Sequence, residues 1–144
     1  MAFIPRDAVW YIAQVVLEII VEGEPQNLVH INYLLVRADS PEQAYGKALR
    51  LGAEHKTSYL NPANKMVRVY FRGLRNLTVL HEGLDDGAEI LYGEKVGIGQ
   101  EAVEALIRPK EALSVFKPIQ RSSGPDYASA EIQREARKMV EEGG

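Results

Sequence analysis

The feature that most constrains the fold is the alternation of residues 10–22. Every second residue from Tyr11 to Val21 is apolar, whereas the positions between them include Gln14 and Glu18. Alternation with a period of two, rich in β-branched residues, indicates a strand with one buried face. The polar interruptions also argue against a membrane span, because no apolar run approaches the ~20 residues that cross a bilayer.

A second strand is predicted directly after the first. Residues 23–27 contain Gly, Pro and Asn and therefore have the composition of a turn. Residues 28–37 are again rich in apolar and β-branched side chains. Because a short loop between two long strands favours antiparallel pairing, we expect a β-hairpin here.

The pattern then changes to that of a helix over residues 40–53. Ser40 is suited to the N-cap, Pro41 to the first helical position, and Gln43 to the capping box. Gly52 is interpreted as a C-terminal cap. The apolar stripe of this helix consists of Ala44, Ala48, Leu49 and Leu51.

The rest of the chain gives shorter elements. Predicted in order are a loop at 56–64, a strand at 67–72 that Gly73 breaks, its continuation at 74–80, a strand at 88–96 and a short helix after Gly99. The residues of the last helix that are expected to face inwards are Ala102, Val103, Leu106 and Ile107.

Together these elements predict an α+β fold. We expect a mainly antiparallel sheet of about four to six strands with one principal helix packed on it, plus a C-terminal tail helix. The expected organisation is a compact domain at 1–116, a linker rich in Ser, Gly and Pro at 117–126, and an amphipathic tail helix at 127–144.

The amino-acid composition excludes some classes of function and disfavours others. The chain contains no cysteine, which excludes disulfides, thiolate nucleophiles and cysteine-based zinc sites. A net charge of −3 without a basic block disfavours nucleic acid as a partner. The first residues do not resemble a signal peptide, so a cytoplasmic location without membrane contact is expected.

One acidic turn has the residue types of a metal site. Its side chains combine hard oxygen ligands with one imidazole, although their spacing matches no known metal-binding loop. The alternative interpretation is a solvated turn, in which Asp and Gly serve the backbone. The candidate ligands are His81, Glu82, Asp85, Asp86 and Glu89.

Two further features suggest binding. Arg68, Tyr70 and Arg72 form a basic, aromatic strand face that either stacks nucleic-acid bases or is an ordinary outward face. The tail carries a narrow apolar stripe that must dock in cis, on a twin subunit or on a partner to be stable. The candidate interface residues of the tail are Ala128, Ile132, Ala136, Met139 and Val140.

Two stretches carry a family resemblance. The first combines Trp10 and Tyr11 with the sequence LVRADSPEQAYGKA at 35–48, and the second combines VYFRGLRNL at 69–77 with HEGLDDGAE at 81–89. Over roughly residues 10–116 the chain resembles a small bacterial domain family of unknown function. The resemblance implies a compact α+β domain and supplies no activity, cofactor or catalytic residue.

The function expected from the sequence is that of a non-catalytic binding or assembly module. It would act by homo-oligomerisation or through a protein partner, and no cofactor is implied. One alternative is a metal-binding protein or metal-dependent enzyme that uses residues 81–89. Another alternative is a sensor of small molecules or nucleotides.

Overall fold

The computed structural model describes residues 9–117 and 124–129, and its fold is α+β. Four antiparallel strands form one sheet in the order β2-β1-β4-β3, with one main helix. The elements are β1 (Trp10–Val21), β2 (Leu28–Arg37), α1 (Pro41–Ala53), β3 (Thr57–Leu60) and β4 (Met66–Val79). The predicted hairpin is confirmed, since β1 and β2 pair from Trp10↔Arg37 to Ile19↔Leu28 without a register shift.

The buried core lies between the sheet and α1. The apolar alternate positions of β1 from Tyr11 to Val21 are all buried on this covered face, as the sequence pattern predicts. Ala44 and Ala48 are the fully buried residues of the helix, so its small side chains allow close contact with the sheet. The opposite side of the sheet, which we call the open face, carries Gln14 and Glu18.

The bounds of α1 agree with the prediction, whereas the assignment of Gly52 as its cap does not. Ser40 Oγ accepts a hydrogen bond of 3.1 Å from the Gln43 amide, and the Gln43 side chain accepts one from the Asp39 amide. The helix continues to Ala53, so Gly52 is not its cap. Gly52 instead allows close approach, because a Cβ built there would lie 2.4 Å from Cε1 of Phe71.

Strand β4 is continuous where the sequence suggested a break. Gly73 lies within the strand with φ of +138°, which only glycine adopts without strain. The pairing of β1 with β4 shifts register on either side of the Val15–Val16 pair. The two shifts leave Arg72 and Arg75 as extra residues of β4, which is the signature of β-bulges.

Three other predictions differ from the structure. Residues 56–64, predicted as a loop, include β3, whose four residues are too few for a periodic signal. Residues 88–96, predicted as a strand, contain no strand. The expected short helix exists as α2 (Gln100–Ala105), but Val103, Leu106 and Ile107 are exposed, so the inward orientation was wrong.

By their internal contacts the residues divide into two compact units. The first contains the sheet, α1 and the described residues 9–90 and 124–129. The second begins at Leu91 and contains α2 and two short 3-10 turns, Lys110–Ala112 and Ser114–Phe116.

Most of the predicted linker and tail helix lies outside the described residues, including 118–123 and 130–144. Residues 125–129, which are described, are not helical. In the described ranges, no helix is long and apolar enough to span a membrane.

The contact between Gly52 and Phe71 predicts opposite effects for two glycines of one helix. Gly52→Ala should destabilise the protein by about 1–2 kcal/mol, because overpacking against the ring outweighs the gain in helix propensity. Gly46→Ala is the control, since nothing lies within 4 Å of its added Cβ, and it should stabilise by about 0.5–1 kcal/mol. Urea unfolding measures both, and a stabilised Gly52→Ala protein would contradict this packing.

Candidate functional site

The apolar residues of the open face lie on both β1 and β2, and those at the sheet edge are on β2. The side chains of Val29, Tyr33 and Leu35 point away from α1 and are 55, 56 and 48 % exposed. They follow one another at alternate positions, so they form a continuous row along the strand. We call this row, together with the partly buried Ile31 between Val29 and Tyr33, the β2 row.

The backbone of the same residues faces outwards from the sheet edge. The Ala38 amide donates to the Val9 carbonyl at 2.9 Å, which makes these two residues a hydrogen-bonded pair. Because such pairs alternate along an antiparallel ladder, Leu28, His30 and the following even positions bond to β1. The N–H and C=O groups of the β2 row therefore point away from the sheet.

Only the end of this edge has a partner in the described residues. Lys47 Nζ donates to the outward carbonyl of Arg37 at 3.0 Å. For the β2 row itself, no hydrogen bond to the outward backbone groups is found within residues 9–117 and 124–129. The strand contains neither proline, lysine nor a bulge, which are the usual features that block an edge.

The opposite edge of the sheet is formed by the short β3 and by an irregular part of β4. Strand β3 pairs only with Met66–Val69 of β4, so the remainder of β4 lies at the edge. There, the two bulges carry the charged side chains of Arg72 and Arg75. The Leu77 amide is also occupied, because it donates to Asn76 Oδ1 at 2.9 Å. The two edges thus differ in their capacity to accept another strand.

A basic cleft lies where β3 pairs with β4. It has a volume of about 390 Å3 and is lined by Lys56, Thr57, Ser58, Arg68, Val69 and Tyr70. The predicted basic face is therefore present: Arg68 and Tyr70 line the cleft, whereas Arg72 is paired with Glu18. Arg72 Nη2 lies 2.8 Å from Glu18 Oε1, and its guanidinium carbon lies 4.6 Å from the centre of the Tyr70 ring.

Glu18 is held in its charged form on the open face. Asn27 Nδ2 donates to Glu18 Oε2 at 2.6 Å, and Arg72 Nε donates to Oε1 at 2.9 Å. Both hydrogen bonds lower the pKa of the Glu18 carboxyl. The bond from Asn27 contributes most, and the bond from Arg72 contributes next. The negative charge of this residue is therefore already matched by Arg72.

The chain at 124–129 crosses the covered face. The Tyr59 hydroxyl donates to the Tyr127 carbonyl, and Asn61 Nδ2 donates to the Asp126 carbonyl at 3.1 Å. The Tyr127 ring packs on the core and meets the His30 ring edge-on, with 5.1 Å between centroids. We call residues 125–129 the strap.

Asn61 joins the strap to the turn between β3 and β4. It is 4 % exposed, and its Oδ1 accepts from the amides of Ala63 at 3.0 Å and Lys65 at 2.9 Å. Sequence reasoning identified Asn61 only as a turn residue and missed Tyr59. The pair Asn61-Pro62 was the local signal, but the strap contact spans 65 residues and has none.

The acidic turn does not converge on a cation site. Glu82 Oε2 accepts from the Glu89 amide at 2.6 Å, and Asp85 Oδ1 accepts from the Asp86 amide at 2.8 Å. Two of the carboxylates thus satisfy the backbone of their own segment. Among the described residues, which include His81, no group of three or more His, Asp or Glu side chains is placed to hold a metal ion.

Only one of the candidate tail residues belongs to the described structure. Ala128 is partly buried in the strap, where its amide donates to Asp126 Oδ1 at 3.2 Å. Its predicted role at a partner interface stays a prediction. The four other candidates, Ile132, Ala136, Met139 and Val140, lie outside the described residues.

Comparison with known proteins identifies the family. The profile of the family "Domain of unknown function (DUF4288)" matches residues 10–92, which contain the whole sheet and α1. The chain therefore belongs to this family, and the resemblance inferred from the sequence is confirmed. No match was found among curated proteins or among solved structures.

The strap contact predicts a stability effect that depends on pH. Tyr59→Phe should cost about 1 kcal/mol at neutral pH, since it removes one partly buried hydrogen bond. Burial, followed by the charges of Tyr127 and Asp126, raises the pKa of Tyr59. Its stabilising effect should thus be constant below the unfolded pKa of about 10 and be lost as the pH rises through the folded value.

Denaturant unfolding of both proteins between neutral and alkaline pH measures this effect. The difference in unfolding free energy between wild type and Tyr59→Phe should shrink above a pH of about 10. Tyr45→Phe is the control, because Tyr45 is exposed on α1. Parallel curves for wild type and Tyr59→Phe at all pH values would rule out the strap bond as the cause.

Proposed function

We propose that this protein is a non-catalytic assembly module that forms a two-fold symmetric dimer through β2. The observation that carries the proposal is the β2 row, a long edge with outward backbone groups and half-exposed apolar side chains. An edge of this kind is a template for another strand, since pairing satisfies the backbone and buries the row.

A second copy of the same strand fits this edge. If Asn32 lies on the two-fold axis, antiparallel pairing places Val29 opposite Leu35 of the partner subunit. The same register places Ile31 opposite Tyr33 of the partner subunit. Aromatic and β-branched cross-strand pairs of this kind are favourable, and no like charges face each other in the row.

The two-fold symmetry is also compatible with a helix on only one face of the sheet. With the axis perpendicular to the sheet, the helices α1 of both copies lie on the same side of the joined sheet. The dimer then needs no rearrangement of the core, because α1 and the strap remain in place. The contact is isologous, so it closes at two copies and leaves no open edge at β2 for further addition.

A lysine on the row should prevent the dimer. In Tyr33→Lys, a charged side chain replaces an apolar contact at the centre of the paired edge, which is a natural means of blocking strand addition. We expect the wild type to sediment as a dimer and Tyr33→Lys as a monomer in sedimentation equilibrium. Tyr45→Lys is the matched control, since Tyr45 on α1 is 51 % exposed and Tyr33 is 56 % exposed. This control should remain dimeric.

A truncation distinguishes the edge from the tail. Removal of residues after Ser129 leaves the strap intact and deletes the remaining predicted tail residues. The proposal requires that the truncated protein stays dimeric. A wild type that is monomeric at its highest soluble concentration, or a dimer that dissociates only on truncation, would overturn it.

A further inference from the structure

The basic cleft contains one cross-strand pair, Ser58 of β3 with Arg68 of β4. Lys56, the residue before β3, and Tyr70 of β4 line the same cleft. Directly opposed side chains have Cβ atoms about 4.5–5.5 Å apart. The ammonium group, the guanidinium group and the Ser58 hydroxyl are therefore close enough to contact one ligand.

The two cations of the cleft are not neutralised by the described residues. The Arg72–Glu18 bridge is the ion pair found within residues 9–117 and 124–129, and it uses neither Lys56 nor Arg68. Glu18 and Glu22 flank Ile20, which is the β1 partner of Arg68. Glu18 is already bound by Asn27 and Arg72, and among the described residues Glu22 forms no ion pair with Lys56 or Arg68.

We propose that this cleft binds the phosphate group of a small phosphorylated molecule. A guanidinium, an ammonium and a hydroxyl supply the donors that a tetrahedral, doubly charged oxyanion accepts. The cleft is an open groove of about 390 Å3, which leaves room for a small ligand. The site is independent of the dimer, because the cleft is at the β3 edge and the β2 row is at the other edge.

A discrete ligand fits better than a nucleic-acid strand. A strand needs a cationic path over several nucleotides, whereas the next arginine along β4, Arg72, is already paired with Glu18. The chain as a whole carries a charge of −3, which opposes the long-range attraction of a polyanion. The cationic surface is thus confined to the cleft.

Titration of the full chain with inorganic pyrophosphate, followed by amide NMR, tests the site. We expect saturable shifts that centre on residues 56–58 and 68–70 and weaken with added salt. Arg68→Gln should raise the Kd at least about tenfold, since it removes a charge-assisted contact. Arg75→Gln is the control, because Arg75 is an exposed arginine of the same strand that does not line the cleft. It should change the Kd by less than about twofold.

The following binding results would contradict the proposal. Shifts that do not saturate, or equal losses in Arg68→Gln and Arg75→Gln, would mean diffuse attraction of anions. In a parallel titration, a short single-stranded oligothymidylate that binds far more tightly than pyrophosphate, and that depends on Arg75 as well, would indicate a nucleic-acid surface. An unchanged midpoint of thermal unfolding in both variants shows that the fold is retained.

Discussion

The structure depends on β1 pairing along both of its sides while it buries alternate side chains under α1. Its partners are β2 on one side and β4 on the other, and its apolar positions from Tyr11 to Val21 form the centre of the core. The distance between helix and sheet is set by small residues, above all Gly52 against Phe71. Because β1 leaves neither side free, all exposed edges of the sheet belong to other strands.

The edges of β2 and β4 differ in how readily their backbone groups can pair with another strand. Along β4, two bulges and the bond from the Leu77 amide to Asn76 occupy or displace the groups that would accept a strand. Along β2, the ladder is regular and the outward positions are apolar. Within the described residues, the irregular part of β4 is therefore less suited to strand addition than the regular edge of β2.

Features that depend on neighbouring residues could be predicted from the sequence, whereas features that depend on contacts between distant residues could not. The alternation of β1 and the cap at Ser40 are local, so the hairpin and the start of α1 were found. Strand β3 is four residues long and exists by pairing with β4, so it was missed. The roles of Tyr59 and Asn61 arise from the strap, far along the chain. In the acidic turn, the residue types were right for a metal, but Glu82 and Asp85 bond to the local backbone.

The order of the strands relates the two proposed surfaces to each other. With neighbouring strands ~4.8 Å apart, β2 and β3 are separated by roughly 14 Å across the open face. Between them lies the Glu18–Arg72 pair, which joins β1 to β4 and neutralises the middle of the face. The β2 row and the basic cleft thus lie on opposite sides of this ion pair. In a dimer joined at β2, each copy would carry its cleft at the outer end of the joined sheet, so a phosphorylated ligand would bind without competing with the partner subunit.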